Sequence, residues 1–268
     1  MKKAAFTLAA SAILSSVASA ALVAWYPLDE GSGTVVADAS GNGNTMTAAG
    51  GGTWSGTGAF GGSYHVGPNG GVVARTGVFG SLSGINATTG NDVTIAFWAK
   101  ADAESMGGSV FYISDSTSAA GNRIFQSHLE WTNGLTYFDT DWTSGTSRVS
   151  GDVGSVSDVM HHYAFTYDGD SGAMAVWKDG VPTLTGTGDV KASLPWASIQ
   201  NMEFGAASFS AYWGTGGQLD DIGIWNEVLS PSAIAQIRTS GIGSTVPEPG
   251  VTALALLAGA IGVRRRRR

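Results

Sequence analysis

Cysteine is absent from the 268 residues, so neither a disulfide framework nor a thiol nucleophile is available to this chain. No Gly-x-Ser-x-Gly segment occurs either, which removes the serine elbow of one large hydrolase class. Basic residues are scarce away from the two ends. Lys2, Lys3 and Arg264 to Arg268 make up seven of the fourteen, leaving seven against twenty acids once Glu248 is set aside, a formal charge of −13. Such a body is poorly suited to nucleic acid, whose binding depends on neutralising phosphates with Lys and Arg. It suits a soluble exported protein, a cation binder or both. Internal repeats and long low-complexity linkers are also missing. The stretch between the ends is long enough to bury a core as one all-β domain without covalent staples.

The two ends carry signals of a different kind. Lys2 and Lys3, the apolar run Ala4 to Val17 and the Ala18-Ser19-Ala20 site read as a secretory signal peptide over residues 1–20. At the other end, over residues 246–268, Pro247-Glu248-Pro249 leads into the apolar run Val251 to Val263 and then five arginines. The prolines keep the approach extended and the arginines favour the cytoplasmic side. Thirteen residues of helix span about 20 Å, short of the roughly 30 Å hydrocarbon core, so the expected hydrophobic helix engages the membrane only transiently. This tail resembles the PEP-CTERM sorting signal of Gram-negative bacteria. The resemblance implies recognition by an exosortase-type transpeptidase in the inner membrane and release toward the cell surface or extracellular matrix.

Between the ends, β-rich segments alternate with Gly, Asn and Asp, the habit of a sandwich or jelly roll. Expected strands are Leu22 to Leu28, Val72 to Arg75, Val93 to Lys100, Val110 to Ser114, Ile124 to Glu130, Leu135 to Asp139, His162 to Asp168, Ala173 to Lys178 and Gln218 to Asn226. In Val93 to Lys100 the period of two puts Val93, Ile95 and Phe97 on one face. Gly169 to Gly172 and Asp179-Gly180 read as hairpin connections. One short helix is expected from Ser230 to Arg238, with Ser230 as cap, Pro231 at its first position and Gly241 as its stop.

Four blocks, in order, resemble the laminin G-like members of the concanavalin A-like lectin/glucanase superfamily. They are Leu22 to Gly33 with Asp38 to Asn44; Val93 to Lys100; His161 to Gly169 with Trp177 to Gly180; and Leu219 to Asn226 running into Leu229-Ser230-Pro231. The resemblance covers residues 21–242 and implies an all-β fold: a two-sheet antiparallel jelly-roll sandwich with adjacent first and last strands and one short C-terminal helix. It further implies a structural calcium held by Asp38 and Asp220, with Asn42 or Asn44 contributing. The spacing agrees, since Asp38, Ser40, Asn42 and Asn44 place an oxygen at every second position, as a hard cation requires. An EF-hand is excluded because its twelfth position is Ala49. The alternative is an Asx-turn loop in which these side chains bond their own backbone.

Adjacent strand residues point to opposite faces, so His161 and His162 are poorly placed to chelate one ion. The resemblance makes them structural. No strand carries the alternating Glu, Asp and Glu of the glucanase branch: Asp139 and Asp141 alternate, Glu130 lies upstream and Glu203 stands alone. Trp54, Trp131, Trp142, Trp196, Tyr212 and Trp213 fall in or beside expected loops, where they would stack on sugar rings or else form local loop cores. The expectation is therefore a non-enzymatic, exported protein that binds extracellular polysaccharide or another surface component. Its alternatives are a purely structural matrix protein and a glycoside hydrolase or polysaccharide lyase.

Overall fold

The computed structural model describes residues 22–48, 51–66, 72–75, 89–104, 107–115, 123–140, 147–205, 213 and 216–245. The expected signal peptide and the tail with Pro247, Glu248 and Pro249 lie outside them, as do Trp142 and Tyr212. No helix among the described residues is long and apolar enough to cross a membrane.

Two antiparallel sheets face each other. The first contains, in spatial order, β14 (Val181–Thr187), β13 (Ala173–Lys178), β12 (His161–Tyr167), β7 (Val93–Ala101), β16 (Gly217–Trp225), β5 (Ser63–Val66) and β4 (Thr53–Ser55). β1 (Leu22–Tyr26) completes it: residues 217–219 of β16 pair with β5, and residues 222–225 pair with β1. The expected contact between first and last strands is therefore present. The second sheet runs β11 (Arg148–Gly151), β10 (Thr136–Thr140), β9 (Arg123–His128), β8 (Phe111–Ser114), β15 (Asn201–Phe204), β6 (Val72–Arg75), β3 (Met46–Ala48) and β2 (Val35–Val36).

Alternation along each strand decides what enters the space between the sheets. From β7, Val93, Ile95, Phe97 and Ala99 turn inward, as expected, and all are fully buried. Phe97 stacks on Phe165 of β12 and meets Phe111 and Phe204 of the other sheet edge-on, with centroids 5.7 to 6.2 Å apart. Phe138 closes this aromatic centre against Phe111 and Phe165. The turns follow their residue chemistry. Asp168 accepts from the N–H groups of Asp170 and Ser171, and Asp179-Gly180 takes two left-handed residues, φ 51° and 81°, as a tight hairpin requires.

The outer face of the first sheet is also covered. Helix α1 (Pro231–Ser240) is capped by Ser230, which accepts from the Ala233 N–H, and stops at Gly241, φ 75°. Its Ile234 and Ile237 sit with Leu229 and Ile242 over Ala96, Ala164 and Trp225. Each isoleucine contributes about 1.5–3 kcal/mol by leaving water.

Expected boundaries shift in one instructive place. The first strand ends at Tyr26 and not at Leu28, because Leu28 adopts φ 59° and turns its fully buried side chain into the core.

Candidate functional site

The Asp38 loop folds as the Asx alternative describes. One carboxylate oxygen of Asp38 accepts from the N–H groups of Trp25 and Ser40, at 3.0 and 2.9 Å. The other accepts from the N–H of Asn44 at 2.9 Å. Asn42 Nδ2 donates to the carbonyls of Leu22 and Val23, and Asn44 Nδ2 to that of Val23. These side chains fasten the loop to β1.

Asp220 is engaged elsewhere. It lies with Asp221 at a bulge in β16, where the pairing with β7 is interrupted and Asp221 takes φ 47°. Oδ2 of Asp220 accepts from the N–H groups of Ala59 and Phe60, at 2.7 and 2.9 Å. Asp221 accepts from Trp25 Nε1 at 2.7 Å and from the N–H of Ile242 at 2.9 Å. Among the described residues no three His, Asp or Glu side chains are grouped to hold a metal. The Nδ2 atoms of Asn42 and Asn44 are turned to backbone carbonyls, and the Asp38 and Asp220 carboxylates serve different loops. The bulge nevertheless leaves Oδ1 of Asp220 buried without a hydrogen bond. Burial pushes this carboxyl up to about 7 against the pull of the Phe60 N–H, and the neighbouring Asp221 adds to the rise.

Two of the aromatic candidates are buried. Trp196 and Trp213 are only 1% and 2% exposed. Trp196 packs near Phe125 as part of the core, as the local-core alternative describes. Trp54 is half-buried: its indole donates to the Gly33 carbonyl at 2.9 Å and its ring stands edge-on to Tyr64. His161 bridges Asp179 and Asp158 at 2.6 and 3.0 Å. His162 is buried on the opposite face beside Trp98, and burial lowers it to about 4.

The outer face of the second sheet carries what the sequence pattern did not assemble. Met202 and Phe204 of β15 belong to the core, so alternation turns Asn201 and Glu203 outward. Register then sets Glu203 beside Tyr112 of β8, Tyr112 beside Gln126 of β9, Gln126 beside Asp139 of β10, and Asp139 beside Arg148 of β11. A polar row thus crosses five strands. Arg148 Nη2 reaches Asp139 at 2.9 Å and its Nε bonds the second oxygen. Arg123 Nη1 meets the same carboxylate at 2.9 Å and also bonds Gln126. Gln126 in turn donates to Ser109 at 2.6 Å. His128 faces the Gly108 carbonyl, and burial lowers its pKa.

An outward sheet face ordinarily meets water. Here Asn201 and Glu203 are fully buried and Asp139 is 1% exposed. Neither the oxygen nor the nitrogen of the Asn201 carboxamide has a hydrogen-bond partner. Each such buried group costs about 1–3 kcal/mol until something bonds it. In the sequence, Asn-Met-Glu-Phe alternates polar and apolar over 201–204 and held the signal, but four residues between turns are too few to stand out.

A family model described as the concanavalin A-like lectin/glucanases superfamily matches residues 76–235. The chain belongs to this superfamily. Solved structures of similar fold are varied. Domain 4 of AbnA, a GH43 extracellular arabinanase from Geobacillus stearothermophilus, in complex with arabinotriose, shares 17% identity at a TM-score of 0.61 over 82% of this chain and 99% of that one. Trypanosoma rangeli sialidase in complex with sialic acid shares 16% at 0.58, over 85% of this chain and 34% of its own. The binding domain of botulinum neurotoxin serotype G shares 10% at 0.57, over 81% and 50%. The chain thus spans about a third of the sialidase and half of the neurotoxin fragment, and at these identities the likeness establishes the fold alone. No match is found among curated proteins.

Proposed function

We propose that this laminin G-like sandwich is a non-enzymatic polysaccharide-binding protein, exported through its N-terminal signal. Its Pro247-Glu248-Pro249 tail directs sorting by an exosortase-type enzyme to the cell surface or extracellular matrix. The observation that carries the binding reading is the Asn201 carboxamide, fully buried and unbonded on a sheet face lined with further polar side chains. A sugar supplies paired hydroxyl donors and acceptors, which such a group lacks. The AbnA domain, whose structure holds arabinotriose, supports the same reading by analogy of fold.

Hydrolysis is disfavoured by spacing. Asp139 and Glu203 are the acids of the polar row, and three strand-to-strand steps separate them. At about 4.8 Å per step their backbones are about 14 Å apart, beyond the roughly 5–9.5 Å over which two carboxyl groups flank a glycosidic bond. Asp139 is moreover occupied by two arginines, and it could not serve a glycosidic oxygen without giving up those charge-assisted bonds. Calcium has no part in this binding reading. Affinity electrophoresis through gels containing individual polysaccharides tests the proposal. Retardation by at least one glycan, without release of reducing ends or unsaturated sugars, is the expected result.

A further inference from the structure

Where a sheet stops, its last strand leaves backbone groups unpaired, and the described strands differ in how that edge is closed. β2 and β4 are only two and three residues long. β11 carries Arg148, which is bonded to Asp139. The free side of β1 is taken by the Asp38 loop: the Ala39 N–H reaches the Trp25 carbonyl at 2.7 Å, and Asp38 accepts from the Trp25 N–H. β14 is different. It runs seven residues without an ionisable side chain, and six of them are exposed. Pro182 and a register shift that skips Thr183 interrupt only its start.

Register decides which of its groups are free. Gly188 donates to the Gly172 carbonyl at 2.8 Å, and the pairs Met174–Gly186 and Val176–Leu184 follow two and four residues along the ladder. Bonded pairs recur at every second position of an antiparallel ladder, so Thr185 and Thr187, opposite Ala175 and Ala173, turn their N–H and C=O groups away from β13. Leu184 packs against the core, and a Cβ on Gly186 would meet Val149 at 3.3 Å, so both positions face inward. Thr185 and Thr187 alternate to the outer face.

We propose that β14 pairs antiparallel with β14 of a second copy of this chain, about a two-fold axis at Thr185, joining their first sheets edge to edge. The sequence Thr183-Leu184-Thr185-Gly186-Thr187 fits itself in that arrangement. Thr185 meets its own counterpart, each Thr183 meets a Thr187, and each Leu184 lies opposite the small Gly186 of the other copy. Threonine pairs are favourable cross-strand neighbours, and a two-fold contact uses one self-complementary patch twice. Charge selects the same seam. Residues 22–245 carry seven basic and twenty acidic side chains, so two copies repel over most approaches and least where neither strand is charged. The strand ends are balanced too: the Asp179–Arg238 end of one comes to the Asp189–Lys191 end of the other.

Sedimentation velocity of the full chain from about 5 to 500 μM tests the pairing, since mass action fills a weak dimer at the higher end. A dimer that grows with concentration is expected, and it should tighten between about 0.05 and 0.5 M NaCl as salt screens the net repulsion. Because the chain has no cysteine, Thr185→Cys reports the axis directly. Opposed bonded residues lie about 5.5 Å apart at Cα, within the roughly 4.4–6.8 Å that a disulfide spans. Oxidised glutathione, reduced to two thiols as each cross-link forms, should join the Thr185→Cys protein at least tenfold faster than the Thr183→Cys or Thr187→Cys protein alone. An equimolar mixture of those last two should cross-link with each other. Thr185→Lys sets two like charges on the axis, so it should weaken association at least tenfold without lowering the melting midpoint at the lowest concentration. A monomer across the whole range overturns the proposal. So does association that Thr185→Lys leaves intact, or cross-linking no faster at 185 than at 183 and 187, because the contact then lies elsewhere, the C-terminal apolar run included. None of these outcomes bears on glycan binding.

Discussion

Asp220 should make the folded state lose stability as the pH rises. An unfolded aspartate titrates near 3.9, whereas burial in the β16 bulge pushes this one up to about 7. Below about pH 4 both states hold the proton and no penalty exists. Above pH 7 the folded chain must keep a buried charge, which costs about 4 kcal/mol, since every tenfold change in proton affinity is worth about 1.36 kcal/mol. The contribution thus falls away between pH 4 and 7. Asp220→Asn imitates the protonated form and retains an oxygen for the N–H groups of Ala59 and Phe60. Its amide nitrogen replaces the unbonded Oδ1, so part of the gain is returned. Urea unfolding in chelator should show the variant close to the parent at pH 4.5 and more stable by about 2–4 kcal/mol at pH 8. The difference between the two proteins is the quantity to follow, because buried His162 titrates in the opposite sense within the same window. A difference that stays flat with pH would refute the burial argument. A cation seated at Asp220 would reverse the sign, since it favours the ionised form, and a midpoint raised by millimolar calcium in the parent but not the variant would reveal it.

Four further outcomes follow from the same geometry. His162 is lowered to about 4 by burial, so its contribution is complete above pH 6.5 and is lost as the pH falls toward 4; His162→Gln should flatten that limb of the stability profile. Ile237→Ala, beneath α1, should cost about 2–5 kcal/mol in urea unfolding and leave glycan retardation intact. Trp196→Ala should cost about 3–5 kcal/mol, and the affinity of whatever fraction remains folded should be unchanged; a selective loss of binding would return Trp196 to the ligand site. Replacing Pro247, Glu248 and Pro249 with alanine should leave uncleaved chain in the membrane fraction of the producing cell, read by immunoblot.

The fold was largely legible because long strands repeat their polarity often enough to register. Val93 to Ala101 shows five inward apolar residues at alternate positions, and the Ser230-Pro231 start of the helix is a local signal that depends on no distant partner. β14 was missed for the opposite reason: an edge strand exposed along almost its whole length has no buried face to write into its sequence. Candidate site residues divided along similar lines. Asp38 and Asn44 interact within six residues, so their Asx geometry was one of two readings local spacing could offer. Glu203 and Asp139 stood as isolated acids because cross-strand register, and no sequence interval, sets them on one face. Trp196 and Trp213 stayed between two readings because a tryptophan between strands carries no mark that tells an inward ring from an outward one.

The position of β16 has a consequence for how the protein comes into being. This strand is the last of the described strands, yet it occupies the middle of the first sheet, between β7 on one edge and β1 with β5 on the other. A nascent chain can assemble the β12–β13–β14 hairpins early, but β1 and β5 have no seat until residues 217–225 emerge. Closure of this sheet therefore waits for β16, a high-contact-order assembly that keeps the chain open until that strand is available. Any fragment ending before Gly217 should remain incomplete however long it is given to fold.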